Sequence, residues 1–409
     1  MTFRIPWNLE RIDPHAADDM CAAFFGSALF DGLYRENEDA SGIEPSLAAD
    51  LPREENDGCT VSLREGLVTA AGRSIEAREV VSSMDRTARF GGTAWAFSIP
   101  KPTVTETGQL RFKVRDGKHL ARVLASPWMA IVPRGFSPST PDGTGPFRAR
   151  ITHDGLMLVR NDRSACGSSY LDELRIYRAS DLSDSLRSFE AARDDLGWHG
   201  LGLYDKRRGA RAFDAGTVGW IVLRVGRDAG AWDAPGVAQS IADGILPESF
   251  APFRMGPSWP RGDAAAWGGA PVDLLVPERE PFLADVAKQV AASISTPGHE
   301  VSVRSENKAA FARRLRDRSF AFAVHAMARP ARGARGAFAA ILAIDDPNHA
   351  RLRMKGAPQG DVSPRVLSRM TRLGVLGDVN VVGGVTNDVA LPLLSAGGVA
   401  WGSVFRRGP

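Results

Sequence analysis

Three features of this sequence predict a two-lobed α/β fold. At 409 residues the chain exceeds what one hydrophobic core usually serves, so at least two lobes are expected. From Val272 to Val324 the pattern runs strand, helix, strand, helix, strand, which implies a parallel or mixed sheet with helices on its faces. Thr217-Val218-Gly219-Trp220-Ile221-Val222-Leu223 is a β-branched run suited to a strand that crosses between lobes.

The elements follow in order. Residues 3–7 alternate like a strand, and Asp13-Pro14 marks a turn. Asp18 to Leu33 reads as a helix, with Asp18 or Asp19 as N-cap and Met20, Ala23, Phe24, Ala28 and Leu29 on one face. Asp57-Gly58 signals a hairpin whose second arm alternates through Leu63. Ile75 to Arg86 is a helix capped by Ser74, Leu110 to Val114 a strand, and His119 to Leu124 a short helix. Trp95 and Phe97 alternate with alanines, as in a half-buried strand. Further on, Gly236 to Gly244 is a short helix and Val272 to Val276 a strand. Phe282 to Ile294 is an amphipathic helix, with Phe282, Val286, Val290 and Ile294 at helical spacing. Glu300 to Arg304, Ala309 to Leu315 and Phe320 to Val324 complete the alternation. Residues 328–337, rich in alanine, arginine and glycine, read as a basic mobile loop, and Val379 to Gly384 as a strand running into a glycine turn.

Composition narrows the class. A net charge of +3 is too small for this length to argue nucleic-acid or anionic-membrane binding. The three cysteines, Cys21, Cys59 and Cys166, lack metal spacing and read as free thiols. No apolar run is long enough to span a bilayer. Met1 to Trp7 carries no basic region followed by an apolar stretch, so it is not read as a signal peptide, nor Cys21 as a lipid-attachment site.

The strongest motif is Gly143-Thr144-Gly145-Pro146-Phe147, followed by Arg160-Asn161 and Tyr170-Leu171-Asp172-Glu173-Leu174. Several others precede it in order: Asp13-Pro14, Phe30-Asp31-Gly32-Leu33, Pro45-Ser46-Leu47-Ala48, Asp57 to Gly66, Glu79 to Arg86 and Ile131-Val132-Pro133. Together they resemble the bacterial extracellular solute-binding proteins of family 5, the dipeptide, oligopeptide and nickel type that serve ABC importers. The resemblance implies a type II periplasmic-binding-protein-like fold with mixed sheets and a ligand cleft between lobes. It places lobe I at residues 1–215 and 386–409, with a sub-domain at about 34–132, and lobe II at 216–385. Leu391-Pro392-Leu393 resembles the segment that returns to lobe I, so crossings near Trp220 and Leu391 are expected to form the hinge.

No catalytic constellation emerges. The seven histidines have no helical metal spacing, there is no Gly-x-Ser-x-Gly elbow, and neither a dinucleotide nor a P-loop motif is present. The chain is therefore read as a non-enzyme with no cofactor and no metal. Binding has better candidates. Trp198 and His199, flanked by Gly197 and Gly200, read as an exposed tight turn at the end of lobe I, and Trp220 lies on the crossing strand. His325, Met327 and Arg329 follow the strand at Phe320–Val324, where the resemblance implies residues that project into the cleft. Trp95 and Phe97 are further possibilities. Each also has a plain structural reading as core or as a satisfied interior group. Peptide-binding members carry an aspartate just after that strand, whereas here no acid follows before Asp345, so Arg329 or Arg332 points to an anionic or neutral polar ligand.

The function implied is that of the substrate-binding component of an ABC importer. It would be a monomer that holds a peptide-like, opine-like or other polar solute and delivers it to a membrane permease, with no nucleic-acid partner. Periplasmic or cell-surface placement follows from the resemblance, and a cytoplasmic ligand sensor on the same fold is the alternative. An enzyme that uses the cleft would be the third reading.

Overall fold

A computed structural model of the chain describes residues 1–37, 42–90, 92–199, 207–256, 262–360, 362–394 and 397–407. One ten-stranded sheet runs through the molecule. Its strands are β1 (Thr2–Ile5), β2 (Phe147–Thr152), β3 (Gly155–Arg160), β4 (Glu173–Arg178), β5 (Leu196–Trp198), β6 (Ala210–Val225), β7 (Val272–Pro277), β8 (Val301–Glu306), β9 (Phe322–Ala328) and β10 (Leu373–Thr386). Their spatial order is β8-β7-β9-β6-β10-β5-β1-β4-β3-β2. Strand β1 is parallel to both β4 and β5, and β7 is parallel to both β8 and β9. The remaining neighbours are antiparallel, so the sheet is mixed.

The two longest strands, β6 and β10, pair with each other from Ala210↔Thr386 to Arg224↔Leu373. Near the Thr386 end β10 also pairs with β5, and near its other end β6 pairs with β9. Among the described residues, this ribbon is the part of the sheet that joins the first-half strands to the second-half strands. Its register breaks between Asp214 and Gly219, where Gly216 takes φ +76°, a conformation that strains residues with a Cβ. The second crossing is thus strand β10. Leu391–Leu393 lies beyond it, with Leu393 bridging Val399, and is not the crossing expected there. Val379 to Gly384 continues as strand instead of ending in a glycine turn.

Ten helices are described: α1 (Met20–Leu29), α2 (Ala77–Arg89), α3 (Gly117–Leu124), α4 (Leu182–Glu190), α5 (Val237–Gly244), α6 (Pro281–Ile294), α7 (Lys308–Asp317), α8 (Gly333–Asp345), α9 (Ala350–Arg353) and α10 (Pro364–Ser368). Asp19 caps α1, its carboxylate accepting from Ala22 N–H at 2.9 Å. Helix α2 starts at a capping box made by Glu76 and Glu79, two residues later than Ser74 suggests. Helix α8 takes up Gly333 to Asp345, so residues 328–337 are not simply a loop. Its nine buried residues, alanines, a glycine, Phe338, Ile341 and Leu342, explain why a segment rich in small residues packs instead of moving. Trp95 follows a three-ten turn at Gly92–Ala94, not a strand, and its indole donates to Val123 O at 3.0 Å inside a core cluster that also takes in Trp220, Met327 and α8.

The sequence motifs meet in pairs. Thr144 Oγ1 donates to Asp31 Oδ2 at 2.7 Å, Asn161 Nδ2 donates to Gly145 O at 2.8 Å, and Gly145 N–H donates to Leu29 O at 3.0 Å. Arg86 forms a bidentate pair with Asp13 at 2.7 and 2.8 Å, and the Ser83 hydroxyl donates to Val132 O at 2.9 Å. A Cβ at Gly145 would come within 2.6 Å of the Leu29 carbonyl carbon and 2.8 Å of Ala28 O. Backbone cannot step aside as a flexible side chain would. Gly145→Ala should therefore destabilise the chain by about 1–3 kcal/mol, read as a lower urea midpoint at unchanged m-value.

Candidate functional site

The halves touch where the segment from Pro6 to Met20 lies against the end of β9 and the start of α6. Ala328 N–H donates to Ala17 O at 2.6 Å, and Phe282 N–H donates to Pro6 O at 3.0 Å. Asn8 N–H donates to Glu280 Oε2 at 3.0 Å, and the Ser126 hydroxyl donates to Pro330 O at 2.7 Å. In this arrangement the junction is closed by the chain's own groups.

On one side of the sheet the junction is aromatic. Trp198 ends β5 opposite Gly383, fully buried, and its indole donates to Asn380 O at 3.0 Å. Its ring lies 5.9 Å from Trp7, 5.8 Å from Phe24 and 4.9 Å from Phe282 of α6. The expected exposed turn is therefore a core strand, with Gly197 there because the Phe189 ring leaves no room for a Cβ. His199 follows with φ 56°, donates its N–H to Val382 O at 2.7 Å, and sets its ring 5.8 Å from Phe282. Neither ring nitrogen has a hydrogen-bond partner among the described residues. Burial, with Arg254 adding repulsion, pushes its imidazole down to about 3. Gly200, the last residue of that motif, lies outside the described residues.

The opposite face gathers the other candidates. Strand register places Trp220 directly across from Met327 on one side and Asp378 on the other, so all three share a face. Arg329, two residues beyond Met327, continues that face, its N–H donating to Val218 O at 2.9 Å. His325 lies on it too, opposite Val222, with Nδ1 3.2 Å from Ala326 O and Nε2 unpartnered among the described residues. Burial first and Arg224 second push His325 down to about 3. Burial also lowers the Arg329 guanidinium, which Asp378 and Glu36 partly offset.

Asp378 escaped sequence reading. It is a buried carboxylate inside an otherwise apolar strand, which was the one available signal. Burial lifts it to about 7, against the pull of Arg329 and a hydrogen bond from Trp220, and its Oδ1 has no partner among the described residues. An acid missing from the segment after β9 is thus supplied to the same face by β10. Phe97 is half-buried beneath the Arg335 guanidinium, 4.8 Å from the ring centroid, and Arg332 caps α8. Among the described residues no three His, Cys, Asp or Glu side chains converge as a metal site, and no helix is long and apolar enough to cross a membrane.

By sequence, no family model and no curated protein matches the chain. Solved structures do match it end to end. NikA from Brucella suis in complex with Fe(III)-EDTA is 16% identical, with TM-score 0.67 over 100% of this chain and 99% of that one. The binding protein AgaA of A. tumefaciens R10, in complex with agropinic acid, is 15% identical, with TM-score 0.72 over 100% and 99%. The ABC transporter-associated periplasmic binding protein DppA from Helicobacter pylori, in complex with the peptide STSA, is 14% identical, with TM-score 0.72 over 100% and 98%. The class this defines is the two-lobed α/β fold of solute-binding proteins. Within it, the fold is the one shared by these binding proteins.

Two outcomes follow from the site's chemistry. Trp198→Ala should cost about 3–5 kcal/mol in chemical unfolding, because the ring fills a closed aromatic cluster. Asp378 is held near 7 when folded and lies near 4 when unfolded. Its stabilising contribution is complete below about pH 4 and is lost as pH rises through about 7. Asp378→Asn should therefore gain on the parent chain by roughly 2 kcal/mol between about pH 5 and pH 7, measured as the difference between their unfolding free energies at each pH. A difference that does not change with pH would contradict the assignment.

Proposed function

We propose that this chain is the substrate-binding component of an ABC importer. It holds a small polar solute where its halves meet and hands it to a membrane permease. Lobe I comprises residues 1–215 and 386–409 with the sub-domain at about 34–132, and lobe II comprises 216–385, with the β6–β10 ribbon as hinge. The protein works as a monomer outside the cytoplasm, at the periplasmic or cell-surface side, and catalyses no reaction.

The observation that carries this reading is Asp378 Oδ1, a buried carboxylate oxygen without a partner among the described residues, on the sheet face that Arg329 continues. Such a group costs roughly 1–3 kcal/mol when left unsatisfied. A solute that supplies a partner there recovers that free energy, and one that also touches the first half does so only in a closed form, which couples binding to closure. Trp220, Met327 and Arg329 with Asp378 would give the ligand an apolar bed and paired charges of both signs. His325 lies deeper on that wall, whereas Trp198 and His199 belong to the aromatic cluster on the sheet's other face. Such a charge set suits ligands with both a carboxylate and an amino or amide group, a description that covers peptides and opines.

The test is a thermal-shift panel of short peptides, opines and metal chelates on the full chain, followed by X-ray scattering with the best binder. A bound solute should raise the melting temperature and reduce the radius of gyration. Arg329→Ala should weaken that binding about tenfold while moving the free protein's melting temperature by no more than about 2 °C. Indifference of both melting and scattering to the whole panel would overturn the reading.

A further inference from the structure

A second cavity lies away from the junction residues, between α2, the turn at Gly92–Ala94 and α9, with a volume of about 170 Å³. Its floor is apolar, built from Met84, Phe97, Ile99 and Met129. Two cations stand among its lining residues. Lys101 is already engaged, its Nζ 2.6 Å from Asp85 Oδ2. Arg351, in the first turn of α9, is exposed and makes no ion pair among the described residues. Lys101 and Asp85 cancel, so the uncompensated charge at the rim is one guanidinium.

We propose that this cavity binds a small monocarboxylate carrying a ring or a short alkyl chain. The apolar end sits on Met84, Phe97, Ile99 and Met129, and the carboxylate faces Arg351. Size supports a single ring, since a cavity of about 150 Å³ lined by apolar side chains suffices for benzene. Chemistry supports one carboxylate, because a planar guanidinium offers two parallel N–H donors that match its two oxygens. The floor belongs to the segment Met84–Met129, whereas Arg351 comes from a helix some 200 residues later. An occupant therefore spans the sub-domain and the second half at a place set apart from Trp220 and Asp378. This site stands whatever solute the junction holds.

Phenylacetate, hexanoate and the neutral phenylacetamide, titrated calorimetrically into the full chain, test it. Phenylacetate should bind with a Kd on the order of 1 mM, and phenylacetamide roughly tenfold more weakly. Arg351→Ala, at an exposed position, should bring the acid down to the level of the amide without changing the melting temperature. Ala96→Leu, which fills the cavity from its lining, should abolish both. Should that variant misfold, the acid–amide difference and its loss in Arg351→Ala still decide. Equal binding of acid and amide, an acid affinity insensitive to Arg351→Ala, or no binding below about 10 mM would each overturn the proposal.

Discussion

The pairing of β6 with β10 is the constraint on which the rest of the molecule depends. Two strands hydrogen-bonded to each other from Ala210↔Thr386 to Arg224↔Leu373 carry one sheet through both halves. A ladder of that length resists bending everywhere except where its hydrogen bonds are interrupted. Register shifts fall between Asp214 and Gly219, with Gly216 in a left-handed conformation, and again between Ile221 and Val222. Trp220 on β6 and Asp378 on β10 pair with each other between these irregularities.

Burial explains the electrostatics of the junction with a single cause. Removing water disfavours the charged form of every group, so acids rise and histidines fall. Asp378 is lifted to about 7, Glu280 to about 7 and Asp19 to about 6, while His199 and His325 drop to about 3. Glu280 and Asp19 come from opposite sides of the junction, with Lys308 and Arg11 beside them. At neutral pH the closed arrangement therefore holds neutral imidazoles and carboxyl groups near their titration points. Such groups can pass from neutral to charged at modest cost when an oppositely charged partner arrives.

Much of the first half was legible because its motifs are contact pairs. Thr144 reaches Asp31, Asn161 reaches Gly145, Arg86 reaches Asp13 and Ser83 reaches Val132, each a short-range polar requirement that fixes residue identity. Periodicity located α6, α7 and the strands around them to within a few residues for the same reason, since one face of each is apolar. Legibility failed where the outcome depends on what lies across the sheet. Trp198 between two glycines looks like a turn until β10 and the ring of Phe282 close over it. The alanine, glycine and arginine run after Arg332 lacks a contrast between faces, and its helix exists because both sides are covered.

Asp378 shows the limit most clearly. Reading along the chain from β9, the next acid after Arg329 is Asp345, and a deficit of negative charge follows. The sheet replaces that linear neighbourhood with a lateral one, in which Met327, Trp220 and Asp378 are consecutive across strands although Met327 and Asp378 each lie more than a hundred residues from Trp220 along the chain. The inference of an anionic or neutral ligand, drawn from Arg329 and Arg332 alone, therefore treats half of the site's charge. With a carboxylate two strands away from the guanidinium's own strand, the face is electrically two-sided. The charge on this face is thus set by strand pairing and not by the order of residues along the chain.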